Sequence, residues 1–180
     1  MKKSISYWQT VGFIFTSVVG TFLHFLFDLS GQSIFAALFS AVNESIWEHM
    51  KLLFYPMLLF ALIENHFWRK AIPQFWCNKL AGFLLSLVLI PVLYYSYTGI
   101  LGISADWFNI TIFFIAAGVS FWLETKRFQQ EQPCRIPEKA AFSIIVLIAV
   151  LFTVLTFFPP HIPFFKDPIT GTYGFQGTRP

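Results

Sequence analysis

The chain has 180 residues, of which 56% are hydrophobic and 12% charged, with a formal net charge of +3 and a mean hydropathy of +0.64. An ordinary soluble domain is roughly a quarter charged, and a chain this apolar has too little polar surface to cover its core in water. A bilayer lifts that demand because lipid solvates the outward faces, so the composition excludes a soluble fold. It predicts an all-α, polytopic transmembrane helical bundle, a single integral membrane domain over residues 1–180 with the lipid bilayer as its partner. The chain lacks any run of Lys and Arg interleaved with aromatics, which excludes nucleic acid as a partner.

A helix needs about twenty apolar residues to cross the hydrocarbon core. No charge occurs between Lys3 and Asp28, which gives a first span over 7–27. The apolar run continues to His24 without a small-x-small cleavage site, so it reads as a retained helix and not a signal peptide. Residues 29–43 are uncharged but too short to span, 52–63 are shorter still, and a polar stretch separates them. The expectation is a short interfacial or re-entrant helix over 33–42, a break, and a second span over 44–68. Ser45-Ile46-Trp47-Glu48 has capping-box spacing, with the Ser45 hydroxyl accepting from the Glu48 amide and the Glu48 carboxylate reaching back. An unbroken helix over 33–64 would be about 48 Å long at 1.5 Å per residue, longer than the membrane is thick.

Further spans follow over 80–103, 107–123 and 140–158, with a polar loop containing Pro133 and Pro137 before the last. Pro56 and Pro91 free the carbonyls of Leu52 and Leu87 and predict kinks. Ala116-Ala117-Gly118 with Ser120 predicts a close-packing face on the fourth span. The tail over 159–180 cannot continue a helix past Pro159-Pro160, and its aromatics suggest that it folds back over the helix ends.

Basic residues favour the cytoplasmic side. Nine of them (Lys2, Lys3, Arg69, Lys70, Lys79, Lys126, Arg127, Arg135 and Lys139) fall on one face of a five-span chain, leaving Lys51, Lys166 and Arg179 on the other. The N-terminus is therefore expected inside and the C-terminus outside. Cys77 and Cys134 then lie on the inner, reducing side; their separation shows no metal-type spacing and implies no disulfide framework.

With that topology the ionisable residues converge on the outer face. His24 and Asp28 share a helix face; Asn43, Glu44, Glu48, His49 and Lys51 crowd the start of the second span; Asp106 opens the fourth; Asp167 lies in the tail. Each has an ordinary explanation: Glu44 and Glu48 suit a helix N-terminus, Lys51 can pair with Glu48 across one turn, and Asp28 can end a helix. His24 is harder to explain that way, because it sits a full turn inside an apolar helix. Two histidines and several carboxylates can hold a divalent metal ion as cofactor, with His24, Glu48 and His49 as candidate ligands. No H-E-x-x-H or E-x-x-H spacing is present, and one helix cannot supply the triad, so the first span must contribute. Glu44 and Glu48 repel when both are ionised, so a cation, a histidine or Lys51 is expected between them.

The stretch Asn43-Glu44-Ser45-Ile46-Trp47-Glu48-His49-Met50-Lys51 and the tail Asp167-Pro168-Ile169-Thr170-Gly171-Thr172-Tyr173-Gly174 resemble a family of small uncharacterised multi-pass membrane proteins of Gram-positive bacteria. The resemblance covers most of the chain and implies a bacterial plasma membrane, but brings no activity with it. The residues themselves point to a polar, metal-binding site at the outer face, as in a membrane hydrolase. The alternatives are a small transporter or permease component, and an accessory or scaffold subunit of a membrane complex. Only Ser, Thr and Tyr are expected at mid-membrane in the last three spans, which argues against an ion-coupled carrier.

Overall fold

The computed structural model describes residues 2–69, 71–130 and 133–176. Among these residues six helices form: α1 (Lys2–Leu29), α2 (Ile34–Ala37), α3 (Ile46–Trp68), α4 (Phe75–Leu101), α5 (Asp106–Gln129) and α6 (Glu138–Phe157), followed by a 3-10 turn at Pro163–Phe165. All but α2 are long and apolar enough to cross a membrane. Among the described residues the only β pairing is an isolated bridge between Lys166 and Tyr173.

Successive long helices run antiparallel. Gln129 at the end of α5 donates to the Lys2 carbonyl at the start of α1 at 3.2 Å, and the Trp76 amide at the start of α4 donates to Glu138 at the start of α6 at 2.8 Å. The N-terminus and these connections form the proximal end of the bundle. The α1–α3 and α4–α5 connections and the tail form the distal end. α3 is the hub: 61% of its apolar window is buried, against 22–33% for the other four long helices. It is apolar nearly all round (Leu52, Leu53, Phe54, Met57, Phe60 and Ala61 are buried), as a central helix must be. The outer helices leave one apolar face exposed, with Val18, Val88 and Leu147 among its members.

The break before α3 falls where the cap was expected, although half of the capping box is missing. Ser45 is the N-cap and its hydroxyl accepts from the Glu48 amide at 3.4 Å. The Glu48 carboxylate does not return to the Ser45 amide, which donates to Asn43 Oδ1 at 2.9 Å. The short helix is also smaller than the expected 33–42: α2 is one turn, Ile34–Ala37. The chain then turns at Ser40, whose hydroxyl donates to the Ala36 carbonyl at 2.7 Å. Conversely, α4 begins before residue 80 and α5 continues past 123. Lys79 and Glu124 do not end these helices because they face each other inside the bundle.

Close approaches are made by small residues. Pro56 has no N–H, so the Leu52 carbonyl lacks its helical donor. α1 approaches α3 closely at that carbonyl through Gly20, where a Cβ would lie 2.7 Å from Leu52 O and 2.6 Å from the Phe113 ring. The small face of α5 behaves as expected, with Ala116, Ala117 and Ser120 fully buried. The tail folds back over the distal end. Phe175 donates its amide to the Thr156 carbonyl at 2.7 Å, and Trp47 packs against Phe165 with centroids 4.9 Å apart. Gly174 (φ +56°) presses on the Thr156 carbonyl and Pro159, where no side chain fits.

The cysteines correct an expectation. Cys77 and Cys134 are joined by a disulfide, with Cα atoms 6.2 Å apart, within the usual range for a bridge. Their separation of 57 residues hides this because the approach is made by a polar clasp. The Gln74 side chain donates to the Cys134 carbonyl at 3.1 Å and accepts from the Cys134 amide at 2.7 Å. That clasp lays the proximal loop against the start of α4.

Candidate functional site

At the distal end three side chains from three segments meet. His24 projects from α1, His49 from the first turn of α3, and Glu44 from the connection before it. Glu44 Oε2 lies 3.6 Å from His24 Nε2 and 3.3 Å from His49 Nε2. The two imidazole centroids are 5.6 Å apart. One ligand atom from each of the three falls within 4.8 Å of the others, a spacing that suits a single metal ion.

The local backbone explains the arrangement. Ser45 is the cap, so Glu44 lies outside the helix and is free to swing toward α1, while Glu48 on the first turn points into the bundle. His49 Nδ1 lies 3.0 Å from the Ser45 carbonyl. A carbonyl only accepts, so Nδ1 carries a proton and Nε2 is the position that faces Glu44. Hydrogen bonding to His24, and then to His49, holds the Glu44 carboxyl well below the usual carboxylate range, against the opposing effect of partial burial.

Glu48, expected as a ligand, serves elsewhere. Its Oε2 accepts from Lys51 Nζ at 2.8 Å and from the Val42 amide at 3.2 Å, and its Oε1 accepts from the Thr156 hydroxyl at 2.8 Å. Lys51 is wholly buried and also donates to the Ala37 carbonyl at 2.8 Å and to Thr156 at 2.9 Å. This satisfied ion pair ties α2, α3 and α6 together. The two carboxylates that would repel are thus separated, Glu44 by histidines and Glu48 by lysine.

Of the remaining candidates, Asn43 donates to the Gly174 carbonyl at 3.3 Å and so holds the tail. Asp28 is exposed at the end of α1 and lines neither of the cavities described below. Asp167 accepts from the Ile169 amide at 2.8 Å and from the Thr170 hydroxyl at 2.8 Å. Its carboxylate therefore builds the turn that places Pro168 and Ile169 over the site.

Two adjoining cavities open on the trio. One, of about 260 Å³, lies between α3, α4, α5 and the tail, and is lined by Glu44, His49, Tyr94, Ser104, Asp106 and Asn109 with apolar neighbours. The other, of about 450 Å³, is a mostly apolar crevice between α1 and α5. Gly20, Phe25, Ile110, Phe113 and Phe114 form its walls, with His24, Glu44, His49, Asp106 and Asn109 also lining it. Tyr97 fixes Asn109 by donating to its Oδ1 at 2.5 Å. At the start of α5, Asp106, which the sequence already places in the outer-face gathering, and Asn109, which it does not, both line the site because the fold sets α5 opposite α1 and α3.

Sequence reasoning also missed a second polar cluster, near the proximal end. Lys79 of α4 lies between Glu64 of α3, at 2.5 Å, and Glu124 of α5, at 2.6 Å. Gln9 of α1 donates to Glu64 at 2.5 Å. The expectation of only Ser, Thr and Tyr at mid-membrane in the last three spans does not extend to these residues, which lie one to two turns inside the proximal helix ends. Lys79 and Glu124 flank the apolar runs and read as interfacial until the helices are seen to continue through them.

No curated protein and no solved structure matches the chain. A family model matches residues 1–175, and the chain belongs to that family, described as a family of unknown function (DUF6512).

Proposed function

We propose that the chain is a membrane-spanning metalloprotein. In this reading His24, Glu44 and His49 bind one divalent transition metal ion, and the site hydrolyses an amphiphilic substrate. The observation that carries the reading is the convergence of two imidazoles and one carboxylate from three segments, with one ligand atom of each within 4.8 Å of the others. With Nδ1 committed to the Ser45 carbonyl, Nε2 faces the carboxylate at 3.3 Å, a position that a proton fills in the metal-free protein and a metal ion takes when bound. Two imidazoles and one carboxylate are a common donor set for a catalytic zinc ion, which needs three protein ligands and an open position. When bound, such an ion acidifies water and polarises a carbonyl or phosphoryl oxygen.

The chain's own residues supply the rest. Asp106 lines both cavities and is the candidate general base. The larger cavity, about 450 Å³, is of the size that holds small ligands. It combines apolar walls with a polar end, and Phe25, Ile110 and Phe114 continue onto exposed apolar faces. An acyl chain fits the walls, and an ester, amide or phosphate group fits the end. In this reading the site faces outward, because the excess of basic residues at the other end of the bundle favours that end as cytoplasmic, in the bacterial membrane that the motif resemblance implies.

Metal analysis of purified protein tests the first part. Near-stoichiometric zinc, manganese or iron is expected in the wild type, with loss in His24→Ala, Glu44→Ala and His49→Ala. An absence of metal in wild type supplied with each ion would leave a histidine–glutamate ion pair and overturn the reading. Asp106→Asn should keep the metal and lose at least about 100-fold in hydrolysis of an acyl ester, the usual scale of a general base. Full activity in that variant would remove Asp106 from the mechanism.

A further inference from the structure

The proximal cluster is a different kind of site. Glu64, Lys79 and Glu124 come from three helices, and none of their side chains is more than 2% exposed. Four phenylalanine rings, of Phe60, Phe75, Phe121 and Phe128, surround the ammonium at 5.4–6.0 Å. In their ordinary charge states two carboxylates and one ammonium sum to one negative charge in a dry, aromatic pocket. An uncompensated buried carboxylate is costly enough that such groups take up a proton instead. Two charges at this end are engaged elsewhere: Arg127, one turn further along α5, donates to Asn78 Oδ1 at 2.8 Å, and Glu138 accepts from the Trp76 amide at 2.8 Å.

The two carboxylates are not equivalent. Glu64 Oε1 accepts from Gln9, and its Oε2 touches the ammonium outside hydrogen-bonding geometry. Among the described residues, Glu124 accepts from Lys79 through Oε2, and its Oε1 has no hydrogen-bond partner. That oxygen is packed against Gly82, where an added Cβ would clash with it. Gln9 Oε1, on the same group of side chains, also has no hydrogen-bond partner among the described residues.

We propose that Glu64, Lys79 and Glu124 form a proton-binding site, with one exchangeable proton on Glu124 Oε1 at neutral pH. The protonated cluster is neutral overall, with Glu64 ionised and Lys79 charged. Ionisable groups buried in a spanning bundle are typical of proton relays, and this one lies one to two turns inside the proximal end, at the opposite end from the histidine site. The inference does not depend on the metal reading.

Infrared spectroscopy of the purified protein at pH 7 tests it. The wild type is expected to show the C=O band of a protonated carboxyl group, shifted in heavy water because the proton exchanges. Glu124→Gln should lose the band. Glu64→Gln, which leaves one carboxylate against one ammonium, should lose it too, so either variant serves if the other fails to assemble. Glu44→Gln at the distal site should keep it. A wild type without the band, or a band that persists in a folded Glu124→Gln or Glu64→Gln protein, overturns the proposal.

Discussion

Glu44 and Glu48 are four residues apart, yet one is half-exposed between two histidines and the other is sealed against a lysine. The difference comes from one residue: with Ser45 as the N-cap, Glu44 lies outside the helix and Glu48 inside it. The consequence at Glu44 is a pH dependence. A carboxyl held below its ordinary value contributes stability that is complete above that value and is lost as pH falls toward its folded one. Metal-free wild type is therefore expected to lose melting temperature below about pH 4.5, the ordinary value for the group, more steeply than Glu44→Gln. Parallel pH profiles for the two proteins would show that the histidine contacts do not hold the carboxylate. At Glu48 the consequence is a buried charge that needs its partner. Lys51→Met strands that carboxylate and should cost about 3–5 kcal/mol, while Lys51→Met with Glu48→Leu should recover much of the loss. Thermal melts of the four proteins in the cycle give the coupling.

At the scale of the helices, α1 and α3 are brought together by a pair of features that neither sequence nor propensity links. Pro56 strips the donor from the Leu52 carbonyl, and Gly20 is the residue that approaches it. Gly20→Val should force the Phe113 ring and the α3 backbone away at a cost of about 1–3 kcal/mol, read as a lower melting temperature. Because His24 lies one turn beyond Gly20 on α1, the same change should widen the histidine pair and weaken metal binding. A variant with wild-type stability would mean that α1 does not pack against α3 at this point.

At the scale of the molecule, two signals compete over orientation. The excess of basic residues at the proximal end favours a cytoplasmic N-terminus, whereas the Cys77–Cys134 bridge at that same end favours an oxidising compartment. Lys51 and Lys79 are consumed inside the bundle, but the flanking positions that remain still favour the proximal end as cytoplasmic. A cytoplasmic reporter fused at the C-terminus is therefore expected to be inactive, and alkylation before lysis should find Cys77 and Cys134 as thiols that bridge on isolation in air. An active C-terminal reporter together with a bridge in intact cells would reverse the topology and put the histidine site on the cytoplasmic side.

The number of long helices, the break before Ser45, the small-residue face of α5 and the folding back of the tail were all legible in the chain. Each follows from local chemistry: a run of apolar residues, a hydroxyl three residues before an amide, or a proline pair. His24, Glu44 and His49 were legible as a polar gathering for the same reason, since an ionisable residue in an apolar run stands out. Which carboxylate joins the histidines was not, because that depends on where α1 passes the start of α3. Asp106 and Asn109 enter the site, and Glu64, Lys79 and Glu124 meet, only through contacts between helices far apart in sequence. A charge at the edge of an apolar run reads as interfacial until the fold supplies its buried counter-charge, so the tertiary structure alone decided where the chain hides its ionisable groups.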